Sequence, residues 1–212
     1  FARSHGDIPL PKYILKARGL AAKNLALDED KSAYQTVYAR AEGSVAAPTA
    51  GFHFTPQLLD GLKNSGVKTA SLTLHVGWGT FKMLKTAPQA HVMPPETATL
   101  DAAQAELINS ARKAGGRIFS VGTTSTRTLE TFSDDNGTVS AASRPTGIFI
   151  YPPYRFKAVD ALLTNFHLPD STPLYLAAAF CGSWEMLYEA YRKAVEIKYR
   201  FYSYGDAMLI YE

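Results

Sequence analysis

Val159-Asp-Ala-Leu-Leu-Thr-Asn-Phe-His-Leu-Pro-Asp-Ser-Thr-Pro-Leu-Tyr-Leu-Ala-Ala-Ala-Phe180 sets the terms on which the chain is read. Val159 to Leu163 is a short apolar run of the kind that forms a buried strand, and Leu174 to Phe180 reads as the opening of a buried helix. Between them Asp170, Ser171 or Thr172 can cap that helix, with Pro173 at its first position, where a missing N–H costs nothing. A strand that ends in Asn165 and His167 just before a helix N-terminus is where an α/β sheet places its ligand. The same amide and imidazole would also serve simply to satisfy the polar groups of the turn. Sequence alone leaves both readings open.

The alternation of helix and strand recurs upstream. From Asp30 to Arg40, the positions Ala33, Tyr34, Val37 and Tyr38 share one helical face, and Glu42 to Phe54 is a small-residue run suited to close backbone approach. Thr55-Pro56 opens a helix with Leu58, Leu59 and Leu62 as its core face and a stop at Gly66, followed by Val67 to Val76 as a central strand. Through Pro94-Pro95 the chain reads as irregular; Leu100 to Ala114 is then a second amphipathic helix, ended by Gly115-Gly116. Arg117 to Val121 is the next strand and runs into Gly122-Thr-Thr-Ser-Thr-Arg127 and a helix through Leu129 and Glu130. Ser133 to Pro145 is turn-rich and expected to be mobile. Ile148 to Tyr151 reads as a strand, Trp184 to Val195 as a long striped helix, and Ala207 to Tyr211 as a closing strand. These elements predict an α/β fold, a three-layer sandwich with a largely parallel sheet, formed as one domain over residues 1–212 with 1–14 as an extended leading segment.

The 212 residues are 46% hydrophobic and 19% charged, enough to bury a full core. No apolar run approaches the roughly 18 residues of a membrane span, and Phe1 to Asp7 lacks the apolar centre of a signal peptide. A soluble, cytoplasmic protein is expected. The single cysteine, Cys181, excludes an internal disulfide and suits a reducing compartment. A net charge of +3 permits an RNA partner without requiring one. A chain that opens on Phe1 rather than Met is expected to be preceded by further residues.

His5, His53, His75, His91 and His167 do not stand at metal-site spacing, so no metal is expected. His53, His75 and His167 end or follow apolar runs beside Gly, Thr or Pro turns, which would gather them at one sheet edge; each taken singly also reads as a core or capping histidine. Gly122 to Arg127 offers a glycine for close approach, hydroxyls and free helix N–H groups to an anion, and an ordinary helix cap has the same letters. Tyr154-Arg-Phe-Lys157 and Tyr199-Arg-Phe-Tyr202 mix aromatic and basic residues as base-stacking surfaces do, and as aromatic strand pairs do.

Together these stretches resemble one family, the S-adenosylmethionine:tRNA ribosyltransferase-isomerases of queuosine biosynthesis. The matching segments are Ile8-Pro-Leu-Pro-Lys-Tyr-Ile14, Tyr34-Gln-Thr-Val-Tyr-Ala39, Gly43-Ser-Val-Ala-Ala-Pro-Thr-Ala-Gly51 with His53-Phe54, and Thr73-Leu-His-Val-Gly77 with Gly79-Thr-Phe81. They continue with Val121-Gly-Thr-Thr-Ser125, Arg127, Leu129-Glu130, Val159-Asp-Ala-Leu162, Thr164-Asn-Phe-His-Leu-Pro169, Tyr199-Arg-Phe201 and Ser203-Tyr-Gly-Asp-Ala-Met208. Met83, Pro94 and Thr172-Pro-Leu-Tyr175 depart from the family pattern. The resemblance implies the C-terminal portion of a longer protein, without the opening of the α/β domain and without the inserted β-barrel domain.

It also implies a reaction. The ribosyl part of S-adenosylmethionine passes to the 7-aminomethyl-7-deazaguanine wobble base of tRNA, giving epoxyqueuosine with release of adenine and methionine. The implied partners are S-adenosylmethionine as co-substrate and the tRNA anticodon, with no permanently bound cofactor, no metal and no membrane, and a monomer is the expected state. Within that reading His53 or His167 is the base, Thr123, Thr124, Ser125 and Arg127 hold an anionic group, and Asn165 and Asp206 read base edges. A relative that binds RNA or nucleotide without catalysis is the alternative.

Overall fold

The computed structural model describes residues 8–19, 28–77, 79 and 83–211. Phe1 to Asp7, and Thr80 and Phe81 of the family-matching Gly79-Thr-Phe81 segment, lie outside the described residues. The helices are α1 (Lys12–Ala17), α2 (Asp28–Ala33), α3 (Pro56–Asn64), α4 (Ala102–Lys113), α5 (Thr123–Phe132), α6 (Thr172–Phe180) and α7 (Trp184–Glu196). The strands are β1 (Thr73–Leu74), β2 (Glu96–Leu100), β3 (Phe119–Val121), β4 (Ala142–Thr146), β5 (Ala161–Asn165) and β6 (Ala207–Tyr211). A 3-10 turn, Thr49–His53, stands alone before α3.

Strand β5 is Ala-Leu-Leu-Thr-Asn, buried or half-buried throughout, as expected of a strand covered on both faces. It pairs parallel with β3, Val121 opposite Leu163, and antiparallel with β6, Leu163 opposite Leu209. A separate sheet has the order β1-β2-β4, antiparallel throughout, with Ala98 opposite both Leu74 and Arg144. The mixed α/β class is as expected; the strand directions differ from a largely parallel sheet, since β3 and β5 form the only parallel pair among the described residues. The reason lies in β2. Its Glu-Thr-Ala-Thr-Leu buries alternate residues, the pattern of an antiparallel strand, and it fills the gap between the irregular stretch ending at Pro95 and the helix expected from Leu100, taking Leu100 from that helix.

Other local expectations also shift. Val67 to Val76 supplies only the two-residue β1, and Ile148 to Tyr151 is extended without pairing although Ile150 is buried. The turn-rich Ser133 to Pro145 contains most of β4. Thr55 caps α3 by accepting from the Leu58 N–H at 3.1 Å, but that helix has no buried residue and Leu58 is 44% exposed. Leu58 faces water, and Leu59 and Leu62 are only half-buried.

The main core joins Leu74, Ala98 and Leu100 of the antiparallel sheet to Ile108 of α4 and Leu129 and Phe132 of α5. A second cluster packs Leu176 of α6 on Leu162 of β5, with Ile150 against both. One carboxylate is embedded in this packing. Glu130 is 1% exposed and accepts from the Tyr154 hydroxyl at 3.1 Å, the Lys157 N–H at 3.0 Å and the Ala158 N–H at 3.0 Å. It fastens α5 to the loop that leads into β5. Removing it would strand buried donors, each costing about 1–3 kcal/mol. Glu130→Ala is therefore expected to lower unfolding free energy by at least about 3 kcal/mol, measured by urea denaturation; a loss below roughly 1 kcal/mol would mean that water replaces the carboxylate.

Candidate active site

The parallel pair β3 and β5 ends at a common edge, and each strand feeds a helix there. After β3, Gly122 takes φ +85, a left-handed conformation that glycine adopts without strain, and its N–H donates to the Leu163 carbonyl at 2.8 Å. Helix α5 starts at the next residue. After β5, Ser171 is the N-cap of α6, with Thr172 and Pro173 in its first turn; its hydroxyl bonds the Leu168 carbonyl at 2.7 Å rather than a helix N–H.

A small cavity of about 20 Å³ lies between these two helix starts, lined by Thr123, Thr124, Arg127, Thr172 and Pro173 among others. Ser125 is half-buried and is not part of the lining. Arg127 is 8% exposed. Its Nη1 bonds Glu96 at 2.5 Å and its Nε bonds the Ile148 carbonyl at 3.1 Å, whereas its buried Nη2 has no partner. Glu96 in turn accepts from the Gly77 N–H at 2.8 Å. The role of Glu96 was not read from sequence; its signal is a charged residue at a buried position of an alternating strand.

Asn165, the last residue of β5, is 2% exposed and gathers three segments. Thr49 donates its hydroxyl to Asn165 Oδ1 at 2.9 Å, which sets the amide so that Nδ2 points at His53 Nε2 and at the Gly205 carbonyl, 3.5 Å from each. His53 itself is exposed. The turn that carries it depends on Gly51, where a Cβ would run into the Tyr38 hydroxyl. The small-residue run thus does bring backbone close to another segment.

Asp206 stands near His53, and its two oxygens are taken by the Arg200 N–H at 2.7 Å and Arg200 Nη2 at 2.9 Å. That pairing holds its carboxyl below the usual aspartate range, with His53 adding a smaller push in the same direction. The carboxylate closes the loop that presents the Gly205 carbonyl.

His167 is not part of this group. Its Nε2 lies 2.8 Å from the Thr164 hydroxyl, its backbone N–H donates to Tyr191 Oη at 2.7 Å, and its ring lines a cleft next to α6 and α7. Burial pushes its pKa down to about 4. His75 also keeps a buried Nδ1 without a partner, packed on Gly43, while His91 stacks edge-on against Phe149 at 4.9 Å. No group of three metal-ligating side chains occurs among the described residues, and no helix there is long and apolar enough to cross a membrane.

The depressed His167 pKa has a defined sign in stability. Above about pH 6.5 the ring is neutral in both states and costs nothing; between about 6.5 and 4 only the unfolded chain takes up the proton, so stability falls with falling pH. Because the ring lines an open cleft, water screens part of the effect, leaving about 1–3 kcal/mol. His167→Gln is expected to flatten the fall in urea midpoint between pH 7 and pH 4.5, and an unchanged profile would remove His167 as its source.

The comparisons with known proteins bear on the whole of this arrangement. A sequence family described as queuosine biosynthesis protein matches residues 1–210. A protein of Caldanaerobacter subterraneus named S-adenosylmethionine:tRNA ribosyltransferase-isomerase is 52% identical over 206 residues, covering 97% of this chain and 57% of that protein. One of the same name from Geobacter metallireducens is 49% identical over 208 residues, 98% of this chain and 58% of its own length. The crystal structure of an S-adenosylmethionine tRNA ribosyltransferase from Thermotoga maritima matches with a TM-score of 0.61 and 42% identity, over 76% of this chain and 51% of that one. The chain spans a little over half the length of the relatives it matches, and it belongs to the queuosine biosynthesis protein family.

Proposed function

We propose that this chain forms the catalytic α/β portion of an S-adenosylmethionine:tRNA ribosyltransferase-isomerase, acting in the cytoplasm as a monomer on S-adenosylmethionine and the anticodon of tRNA. The reaction passes the ribosyl part of S-adenosylmethionine to the 7-aminomethyl-7-deazaguanine wobble base, isomerises it to epoxyqueuosine and releases adenine and methionine. The observation that carries the reading is the junction at Asn165, where an exposed imidazole is oriented by a buried amide beside two helix starts.

The sulfonium of S-adenosylmethionine acidifies the adjacent 5′ carbon, so the chemistry opens with proton removal there. His53 takes that proton. Asn165 Nδ2 faces Nε2 across a long 3.5 Å contact, which puts the ring proton on Nδ1, and the Nε2 lone pair takes the substrate proton once substrate displaces that contact. His167, the second candidate, is too weakly basic for the task at neutral pH and serves as an uncharged hydrogen-bonding group. The aminomethyl nitrogen of the base is the nucleophile, and adenine leaves with the proton that His53 has taken up.

Thr123, Thr124 and the free Nη2 of Arg127, with Ser125 on the same helix, hold an anionic group of a substrate, either the methionine carboxylate or a tRNA phosphate. The cavity there is small, so the anion binds at its mouth. Asn165, whose amide is taken by Thr49, His53 and the Gly205 carbonyl, sets the His53 ring instead of reading a base edge, and Asp206, with both oxygens held by Arg200, shapes the loop beside it.

The test is to incubate the full-length protein with S-adenosylmethionine and tRNA carrying the aminomethyl-deazaguanine, following adenine release and the mass gain on tRNA. Both signals are expected together. His53→Gln should cut turnover about 10²- to 10⁴-fold with an unchanged circular dichroism spectrum. Adenine release without tRNA gain would indicate a nucleoside hydrolase, and tRNA binding with neither signal would indicate a non-catalytic relative.

A further inference from the structure

The cleft beside His167 has a volume of about 500 Å³, in the range of small-ligand sites. Its walls are mainly aromatic. Trp184, at the start of α7, meets the ring of Tyr175 edge-on at 5.0 Å and stacks on Tyr188 at 5.7 Å. Phe201 and Tyr202 line it from the loop before β6, and Tyr191 packs on Phe201 at 5.7 Å. Tyr188 is 61% exposed, so a ring that a folded chain would ordinarily shelter is left at the cleft in water.

Backbone strain is concentrated at the same place. Among the described residues only Asp170, Lys198 and Tyr202 are non-glycine residues with positive φ, and Asp170 (φ 54) and Tyr202 (φ 73) both line this cleft. Aspartate tolerates that conformation, whereas a bulky aromatic residue does not adopt it without cost. Such residues persist where the surroundings hold them, and they cluster at ligand sites. Tyr202 is held: its N–H donates to the Phe166 carbonyl at 2.9 Å, and the Tyr13 ring packs against it at 5.2 Å. The polar content of the walls is small, comprising a neutral imidazole at His167, the Asp170 carboxylate and the tyrosine hydroxyls.

We propose that this cleft is a stacking site for a planar purine-type heterocycle, with Trp184 and Tyr188 offering a face, Tyr202 closing the site and His167 reading the ring edge. Aromatic walls bind such rings through their faces, with little demand on sequence, and a single neutral imidazole can accept from or donate to a ring nitrogen. Two sources supply this chemistry: the adenine of a nucleoside co-substrate, or an unstacked purine-like base of RNA. The stacking site stands on the cleft itself; its service to ribosyl transfer rests on the function proposed above.

These 212 residues hold two tryptophans, so Trp78→Phe leaves Trp184 as their sole indole reporter. Adenosine and an anticodon-loop RNA hairpin are titrated separately into the full chain carrying that change, and indole fluorescence is read. Quenching by adenosine identifies the nucleoside as the source, and quenching by the hairpin alone identifies RNA. In either case Tyr188→Ala is expected to weaken binding about ten-fold or more. Tyr202→Gly, which suits the left-handed backbone and so folds, should weaken it similarly. No quenching by either probe, or quenching that neither substitution weakens, overturns the proposal. Adenine release by the unmodified protein is measured in parallel: release without quenching sinks the stacking site alone, and quenching without release sinks the transferase reading alone.

Discussion

One backbone hydrogen bond, from the Gly122 N–H to the Leu163 carbonyl, carries the pairing of β3 and β5 one residue past the end of β3. Parallel strands end on the same side, so the helices that follow must both begin there. The bond fixes how closely those starts approach each other. A side chain at residue 122 would be strained by the positive φ, and its Cβ would also lie in contact with Ala50 of the His53 turn. Glycine at this point therefore brings α5, the end of β5 and the Thr49–His53 turn to a common edge.

A buried ion pair, beside the apolar packing on α5, ties the antiparallel sheet to this edge. Arg127 on α5 reaches Glu96 at the start of β2, both nearly dry, while Glu96 also holds the Gly77 N–H. A buried pair of this kind adds little net stability over an apolar contact, but losing one partner is expensive. Its value here is geometric. It pins the guanidinium of a residue that lines the cavity between the helix starts and leaves Nη2 buried without a partner, where a flexible surface arginine would find water instead.

The sequence reading located the strand-to-helix junctions because their signals are local. An apolar run, a glycine or a capping hydroxyl, and a helix-forming segment follow one another at Val121–Thr123 and Asn165–Pro173. It did not find β2, because Glu96 and two threonines make Glu-Thr-Ala-Thr-Leu look polar until both of its partner strands are in place. Nor did it foresee that Leu58 of α3 would face water, since an amphipathic stripe states only which face is apolar, not what covers it. Asn165 and His167 were named, but the aromatic cleft was not. Its walls come from α6, α7 and the 199–202 loop, and their convergence depends on tertiary packing that no local pattern encodes.

That convergence also separates the two histidines. Successive residues of a strand point to opposite faces, so Asn165 turns toward Thr49, His53 and the Gly205 carbonyl while Thr164 turns the other way, to His167. The two imidazoles therefore serve different sides of one strand end: His53 is exposed and oriented by an amide, and His167 is kept neutral against aromatic rings. A substrate that presents a reacting carbon to one side and a planar ring to the other would be held across this strand end. Two similar side chains brought from different segments to opposite faces of one strand end thus sit in opposite environments, which keeps the chemistry of one imidazole apart from that of the other.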